Sequence, residues 1–253
     1  MFGKNVIVTA DKVKRKKVTS RLVKITSLAL LLFLISLYGI LTIAYSQGNF
    51  TITLDSQETI NSGLAIFDSL NNSQPKRKLE AIPIKFMDNI SYKWLPEDID
   101  GDYQGSHNGE NYIAYTFFIE NQGNETLNYW YEVIMDDVVK NVDEAVRFRI
   151  YLNGEYVTYA KKNSIADEEE PGTKRFRDID GDNGTIILEK REDFKPGDLD
   201  KMTIVVWLEG DDPDCTDPLI GGELKMRMKI TEEHILQKGE ELWQREEIRI
   251  VKN

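Results

Sequence analysis

Twenty consecutive residues, Ile25 to Ala44 (ITSLALLLFLISLYGILTIA), carry no charge. Coiled as an α-helix, such a run is about 30 Å long, the hydrocarbon thickness of a bilayer. It therefore divides the chain, because the residues on its two sides cannot share one core. The stretch before it holds eight Lys and Arg, from Lys4 to Lys24, against the single acid Asp11. A basic flank stays on the cytoplasmic side, so the chain after the apolar run is extracytoplasmic. The expected organisation is a basic cytoplasmic n-region over 1–24 and a signal-peptide core or membrane anchor with its cleavage region over 25–46. An extracytoplasmic domain over 47–231 and a C-terminal extension over 232–253 complete the chain.

Two fates of the apolar run fit. Ala44 and Ser46 place small residues at the −3 and −1 positions of a signal-peptidase site, and signal peptidase is then a partner. The run is also longer than a usual signal core, which fits a retained anchor. Either way the acidic part of the chain lies outside, secreted or held at the cell surface.

Charge narrows the function classes. The first 46 residues carry +7, whereas the whole chain carries −11, so residues 47–253 carry −18. That balance repels nucleic-acid phosphates and anionic lipid headgroups, and nucleic acid is excluded as a partner. Cys215 is the only cysteine. No intrachain disulfide can brace the exported part, which must rely on a hydrophobic core.

From residue 50 onward the pattern has period two. Phe50, Ile52 and Leu54 alternate with threonines, as a half-buried strand requires. Leu79 to Met87 reads as a strand interrupted by Pro83, hence an edge position or a bulge. Residues 111–120 and 127–135 alternate apolar and polar around the turn N-Q-G-N-E-T and read as a hairpin. Val146, Phe148, Ile150 and Leu152 share one face, with Arg147 and Arg149 on the other. Asn153-Gly154 then favours a type I′ turn into 155–160. Ile186 and Leu188 mark a short strand. Met202 to Leu208 is apolar on both faces, as in a central covered strand. Leu224 to Ile230 alternates with Lys225, Arg227 and Lys229. Residues 136–145 read as a loop or a single helical turn, and Ile248–Val251 as a last strand after a short helix. Many short strands without a long amphipathic helix predict an all-β fold. It is an antiparallel, jelly-roll-like β-sandwich preceded by one N-terminal signal or transmembrane helix.

Chemistry is harder to place. His107 and His234 are the only histidines and neither belongs to a zinc motif. Ser106 is not in G-x-S-x-G. Cys215 stands among aspartates, which disfavour a thiolate. The pentapeptide D-I-D-G-D occurs twice, as Asp98, Asp100, Asp102 and as Asp178, Asp180, Asp182. Acids at positions 1, 3 and 5 resemble the start of a calcium loop, yet Tyr103 and Asn183 replace its position-six glycine. Calcium at these six aspartates is one expectation, ordinary acidic turns the other. The segment Trp207–Cys215 (WLEGDDPDC) reads as a strand end followed by a loop ordered through Asx-turns.

The basic n-region with its long apolar run, GSHNGENYIAYTFFIENQG, KNVDEAVRFRIYLNGE, DFKPGDLDKMTIVVWLEGDDPDC and IGGELKMRMKI together resemble a set of exported Gram-positive Firmicutes proteins. These are processed by an alternate, SipW-type signal peptidase and are distant cousins of the camelysin and TasA biofilm-matrix proteins. The resemblance spans roughly residues 10–231, and its most specific phrase is W-L-E-G-x-D-P-x-C at Trp207–Cys215. It implies a secreted jelly-roll protein of the cell surface or matrix. The protease activity described for camelysin is not carried over, because no zinc motif is present. The tail 232–253 lies beyond the resemblance.

Three functions are expected, in order. The first is a non-enzymatic structural protein that self-assembles, with Phe50, Ile52 and Leu54 donated as a strand to a neighbour's sheet edge. The second is a calcium-stabilised, adhesin-like surface module that binds a glycan or protein. A hydrolase built on paired carboxylates is third, with no motif behind it.

Overall fold

The computed structural model describes residues 10–45, 50–55, 57–71, 74–177 and 184–234. The apolar run lies within one helix, α1 (Ala10–Tyr45). Its stretch Val18–Leu41 is long and apolar enough to cross a membrane, and none of it is buried against protein. The hydroxyls of Thr26, Ser27 and Ser36 donate to the carbonyls of Leu22, Val23 and Phe33. These polar groups are thus satisfied without water, as a lipid environment demands.

The chain divides into two units, Met1–Gln47 and Gly48–Asn253. The second contains β1 (Phe50–Leu54), α2 (Gln57–Asn61), β2 (Leu64–Phe67), β3 (Lys78–Glu80), β4 (Gly105–Ser106), β5 (Tyr112–Asn121), β6 (Leu127–Val139), β7 (Val146–Leu152), β8 (Glu155–Ala160), β9 (Lys174–Arg175), β10 (Thr185–Phe194), β11 (Leu199–Leu208) and β12 (Glu223–His234). They form the expected sandwich. One sheet has the order β10-β6-β12-β1-β3, the other β2-β5-β11-β7-β8-β9 with β4 paired to β5. Inward side chains of both sheets make one core, among them Ile52, Tyr129 and Met228 from the first and Phe117, Phe148 and Ile204 from the second. The Phe50 and Phe148 rings meet across the layers, 5.7 Å between centroids. Each such buried side chain stabilises the fold by about 1.5–3 kcal/mol. Every member of this core lies between Phe50 and Ile230, so the sandwich closes without α1.

Several strands differ from the sequence pattern. β1 runs parallel to β12, and β8 parallel to β9, so each sheet is mixed rather than purely antiparallel. First and last strands share no turn, and nothing forces them to oppose. β5 and β6 do not form a hairpin: they belong to different sheets and face each other across the core. The five residues between them are ample to bridge stacked sheets about 10 Å apart. Asn121 organises this arch, donating to the carbonyls of Glu125 and Phe194 and accepting from Gly123 N–H. β3 is an edge strand, one of the two expected readings, but it stops at Glu80, before Pro83. β6 continues to Val139 before a single 3-10 turn, Val142–Glu144. β12 runs to His234; the strand expected at 248–251 lies outside the described residues. The Asn153-Gly154 turn is confirmed, with φ of 53° and 91° at its two central residues.

The sandwich has two unlike ends. β1, β5, β7 and β12 begin at one, where β11 finishes: Trp207 pairs with both Tyr112 and Arg147. Phe50 pairs with Met226 and its carbonyl accepts Ala81 N–H. Long connections 81–104, 161–173 and 209–222 leave from this loop end. The opposite, turn end carries the short connections at 121–127, 153–154 and 195–198.

Candidate functional site: the loop end

Trp207 is fully buried at the end of β11. Its indole N–H donates to Glu209 Oε2 at 3.0 Å, and the same oxygen accepts Tyr92 N–H at 3.1 Å. Glu209 Oε1 accepts Asp211 N–H. Three donors thus replace water around a carboxylate that is only 4% exposed. The backbone reinforces this join. Ile90 N–H donates to Leu208, and Gly210 N–H donates to Ile90, so 89–92 adds a short pairing to β11.

Arg147 lies beside Trp207 in the register of β7, on the face away from the main core, and is buried there. The alternation holds, since Arg147 lies on the face away from Phe148 and Ile150, but that face is covered here by loops. Its guanidinium lies 2.6 Å from Asp212 Oδ2 and 3.3 Å from Glu170 Oε2, with all three side chains at most 6% exposed. Asp212 Oδ2 has no aligned hydrogen-bond donor, so the guanidinium charge is what balances it. Asp212 Oδ1 accepts Asp214 N–H two residues on, the expected Asx-turn. Asp214 in turn accepts from the backbone N–H and the hydroxyl of Ser164. Glu170 Oε1 accepts from Asn163 Nδ2. Cys215 is a half-buried free thiol whose sulfur accepts from Asn89 Nδ2 at 3.2 Å.

The acidic phrase after Trp207 is therefore a set of stitches that hold 89–92, β7 and 163–170 together. Lys161 adds another, 2.7 Å from both Asp143 and Glu144. Burial alone would lower its pKa, but those hydrogen bonds hold it above the ordinary lysine value.

Glu170, Asp212 and Asp214 bring carboxylate oxygens within 4.8 Å of one another, the only such metal-competent group among the described residues. Arg147 already supplies the positive charge there. The first D-I-D-G-D loop is similar. Asp100 Oδ1 accepts from Thr203 Oγ1 and lies 3.2 Å from Lys201 Nζ, which also donates to the carbonyls of Asp100 and Gly101. Lys201 thus takes oxygens that a calcium ion would need. Asp98 accepts from the Tyr103 hydroxyl, and no bond of Asp102 enters the cluster. Asp178, Asp180 and Asp182 lie outside the described residues, as does Ser46; Ala44 falls in the last turn of α1. His107 bridges the carbonyls of Gly105 and Ile99 and stacks on Tyr103. Of the strand-donation residues, Phe50 and Ile52 are fully buried, and Leu54 packs half-buried at the core's edge.

Local pattern did not single out Arg147 or Glu170. The one available signal was an arginine inside an apolar strand of a chain with surplus loop acids.

No protein-family model and no curated protein matches the sequence. Among solved structures, a β-glucosidase from Kluyveromyces marxianus is similar at 11% identity and a TM-score of 0.29, over 73% of this chain and 18% of that one. A GH31 α-xylosidase from Xanthomonas citri is similar at 11% identity and a TM-score of 0.26, over 70% and 14%. The chain thus spans less than a fifth of these enzymes, and likeness at this level carries no argument about activity.

Proposed function

We propose that the chain is an exported β-sandwich protein of the cell surface or extracellular matrix, structural rather than catalytic, whose copies join by exchanging β1. The placement of β1 carries this reading. It is the first strand of the sandwich and only five residues long, yet it sits between β12 and β3 and sends Phe50 and Ile52 into the core. Its hold is main-chain pairing on two sides plus those side chains, and a second copy's β1 can supply the same contacts. The resemblance to matrix proteins supports the same role. A structural role also fits the loop-end acids: Glu170 and Asp212 are bound to Arg147, and Glu209 to three N–H donors, which leaves none of them poised as a general acid or base.

The register provides the test, because Thr53 pairs with Lys229. A Thr53→Cys chain and a Lys229→Cys chain, both lacking Cys215, are co-expressed and oxidised. Exchange yields a disulfide between the two chains, and the out-of-register pair Thr51→Cys with Lys229→Cys yields much less. Assemblies that form without any in-register cross-link would rule out β1 as the joint.

A further inference from the structure

Outside α1, five large apolar side chains among the described residues are more than 60% exposed: Ile82, Phe86, Trp94, Ile165 and Ile220. All five belong to loop-end connections. Ile82 follows Ala81, which is bonded to Phe50, and its own N–H and carbonyl bond the side chains of Ser106 and Asn108. Phe86, 90% exposed, is carried between Ile84 and Met87, which pack inward on the core. Trp94 closes the turn that begins at Tyr92 on Glu209. Ile165 follows Ser164 on Asp214, and the Ile220 carbonyl accepts from Lys140. Connections in water are ordinarily polar at their tips. Here the loops are fixed from below by hydrogen bonds and buried ion pairs while their tips present bare hydrocarbon.

The chain path indicates what these tips meet. β1 begins at this end, and only residues 46–49 separate it from α1, the segment able to cross a bilayer. We propose that the loop end is a lipid-docking face, with Ile82, Phe86, Trp94, Ile165 and Ile220 entering the headgroup region of the outer membrane surface. This rests on the extracytoplasmic placement of the sandwich and not on the exchange of β1. Aromatic and branched aliphatic side chains suit that depth. Three acids of this end are withdrawn from the contact, while Asp167, Glu168, Asp211 and Asp217 stay exposed near the tips. Glu170, Glu209 and Asp212 are turned inward and buried, whereas Lys85 stands beside Phe86 and Lys93 beside Trp94. Attachment is therefore driven by apolar insertion, and the surplus negative charge around the tips opposes anionic lipid.

The sandwich closes its own core, so residues 48–253 serve as the probe. They are sedimented with vesicles of phosphatidylcholine, with and without phosphatidylglycerol, at low and high salt. Binding to the zwitterionic vesicles is expected, undiminished by salt and no stronger with the anionic lipid. Phe86→Ser with Trp94→Ser is expected to lower the partition coefficient about tenfold or more, while Leu199→Ser, an exposed apolar change at the turn end, leaves it unchanged. Circular dichroism verifies that each variant is folded. The proposal is overturned by a folded wild type that ignores both vesicles, or by binding indifferent to the tip substitutions. Binding that needs anionic lipid and vanishes with salt also overturns it. A lipid-independent dimer that dissociates on Phe86→Ser would assign the face to a second copy instead.

Discussion

The two ends of the sandwich are built on different principles. At the turn end each connection is short and has its own turn chemistry, and the turns add bonds only to immediate neighbours, Asn121 with Gly197 and Asn153 with Lys201. Asn153-Gly154 turns on two positive φ angles, and Asn153 exchanges bonds with the adjacent Lys201. At 195–198 the Lys195 N–H donates to Asp198 Oδ2, and the Asp198 N–H returns to the Lys195 carbonyl. At the loop end the partners are remote: Tyr92 with Glu209, Asn89 with Cys215, Arg147 with Glu170 and Asp212. Ordering long connections costs chain entropy, and here charge-assisted bonds to buried carboxylates offset it. Local chemistry makes the short turns cheap, whereas long-range electrostatics holds the long loops in one arrangement.

That contrast breaks most visibly at Arg147. Arg147→Met leaves Glu170 and Asp212 buried without their counter-charge, and loss of one partner from a buried ion pair costs about 3–5 kcal/mol. Urea denaturation of the isolated sandwich should show the fall. Adding Glu170→Gln and Asp212→Asn should restore part of it, because the stranded charges disappear. An Arg147→Met midpoint within experimental error of wild type would mean that the loop end is not held by this triad.

Legibility in the sequence obeys the same divide. The I′ turn, the edge nature of β3, the doubly covered β11 and the alternation of β12 were all readable, because each depends on neighbours one to four residues away. The β5–β6 arch was misread as a hairpin. Both patterns give alternating strands around a polar turn, and only the opposing core faces of Phe117 and Tyr129 decide between them. Period two gives the face of Arg147 correctly, opposite Phe148; that this face is buried depends on acids in two distant loops. The Trp207–Cys215 phrase was recognised as distinctive, but its meaning as a set of stitches needed Ile90, Tyr92 and Ser164 in space. The exposed apolar loop tips carried no periodic signal at all.

Glu209 sharpens the comparison at intermediate cost. Glu209→Ala leaves the Trp207 indole and the N–H groups of Tyr92 and Asp211 without their acceptor. Unsatisfied buried donors cost about 1–3 kcal/mol. Hydrogen exchange should quicken over 89–95 and leave the β7–β8 hairpin as it was. Equal quickening at both places would show that the two ends unfold as one. Gly154→Ala provides the matching change at the turn end. Space is open there, so only the left-handed backbone is strained, at about 1–2 kcal/mol. Its effect should stay confined to the hairpin.

The smallest effect lies between the ends and depends on pH. Burial first, then the charges of Glu189 and Asp200, push the Tyr131 phenol up to about 12. Burial, then the charge and hydrogen bond of Asp200, also hold the Tyr129 phenol well above its ordinary value. An unfolded tyrosine ionises near 10. The folded state therefore keeps its proton where the unfolded state loses it. The stability from the neutral phenol is full below pH about 10 and falls away as pH rises toward 12. Tyr131→Phe removes one such group and should leave the melting temperature at pH 7 nearly unchanged while making its decline between about pH 10 and 12 shallower. Superimposable wild-type and Tyr131→Phe profiles would mean that the phenol ionises freely in the fold. Its place between the sheets would then be as accessible to water as the tips of the loop end.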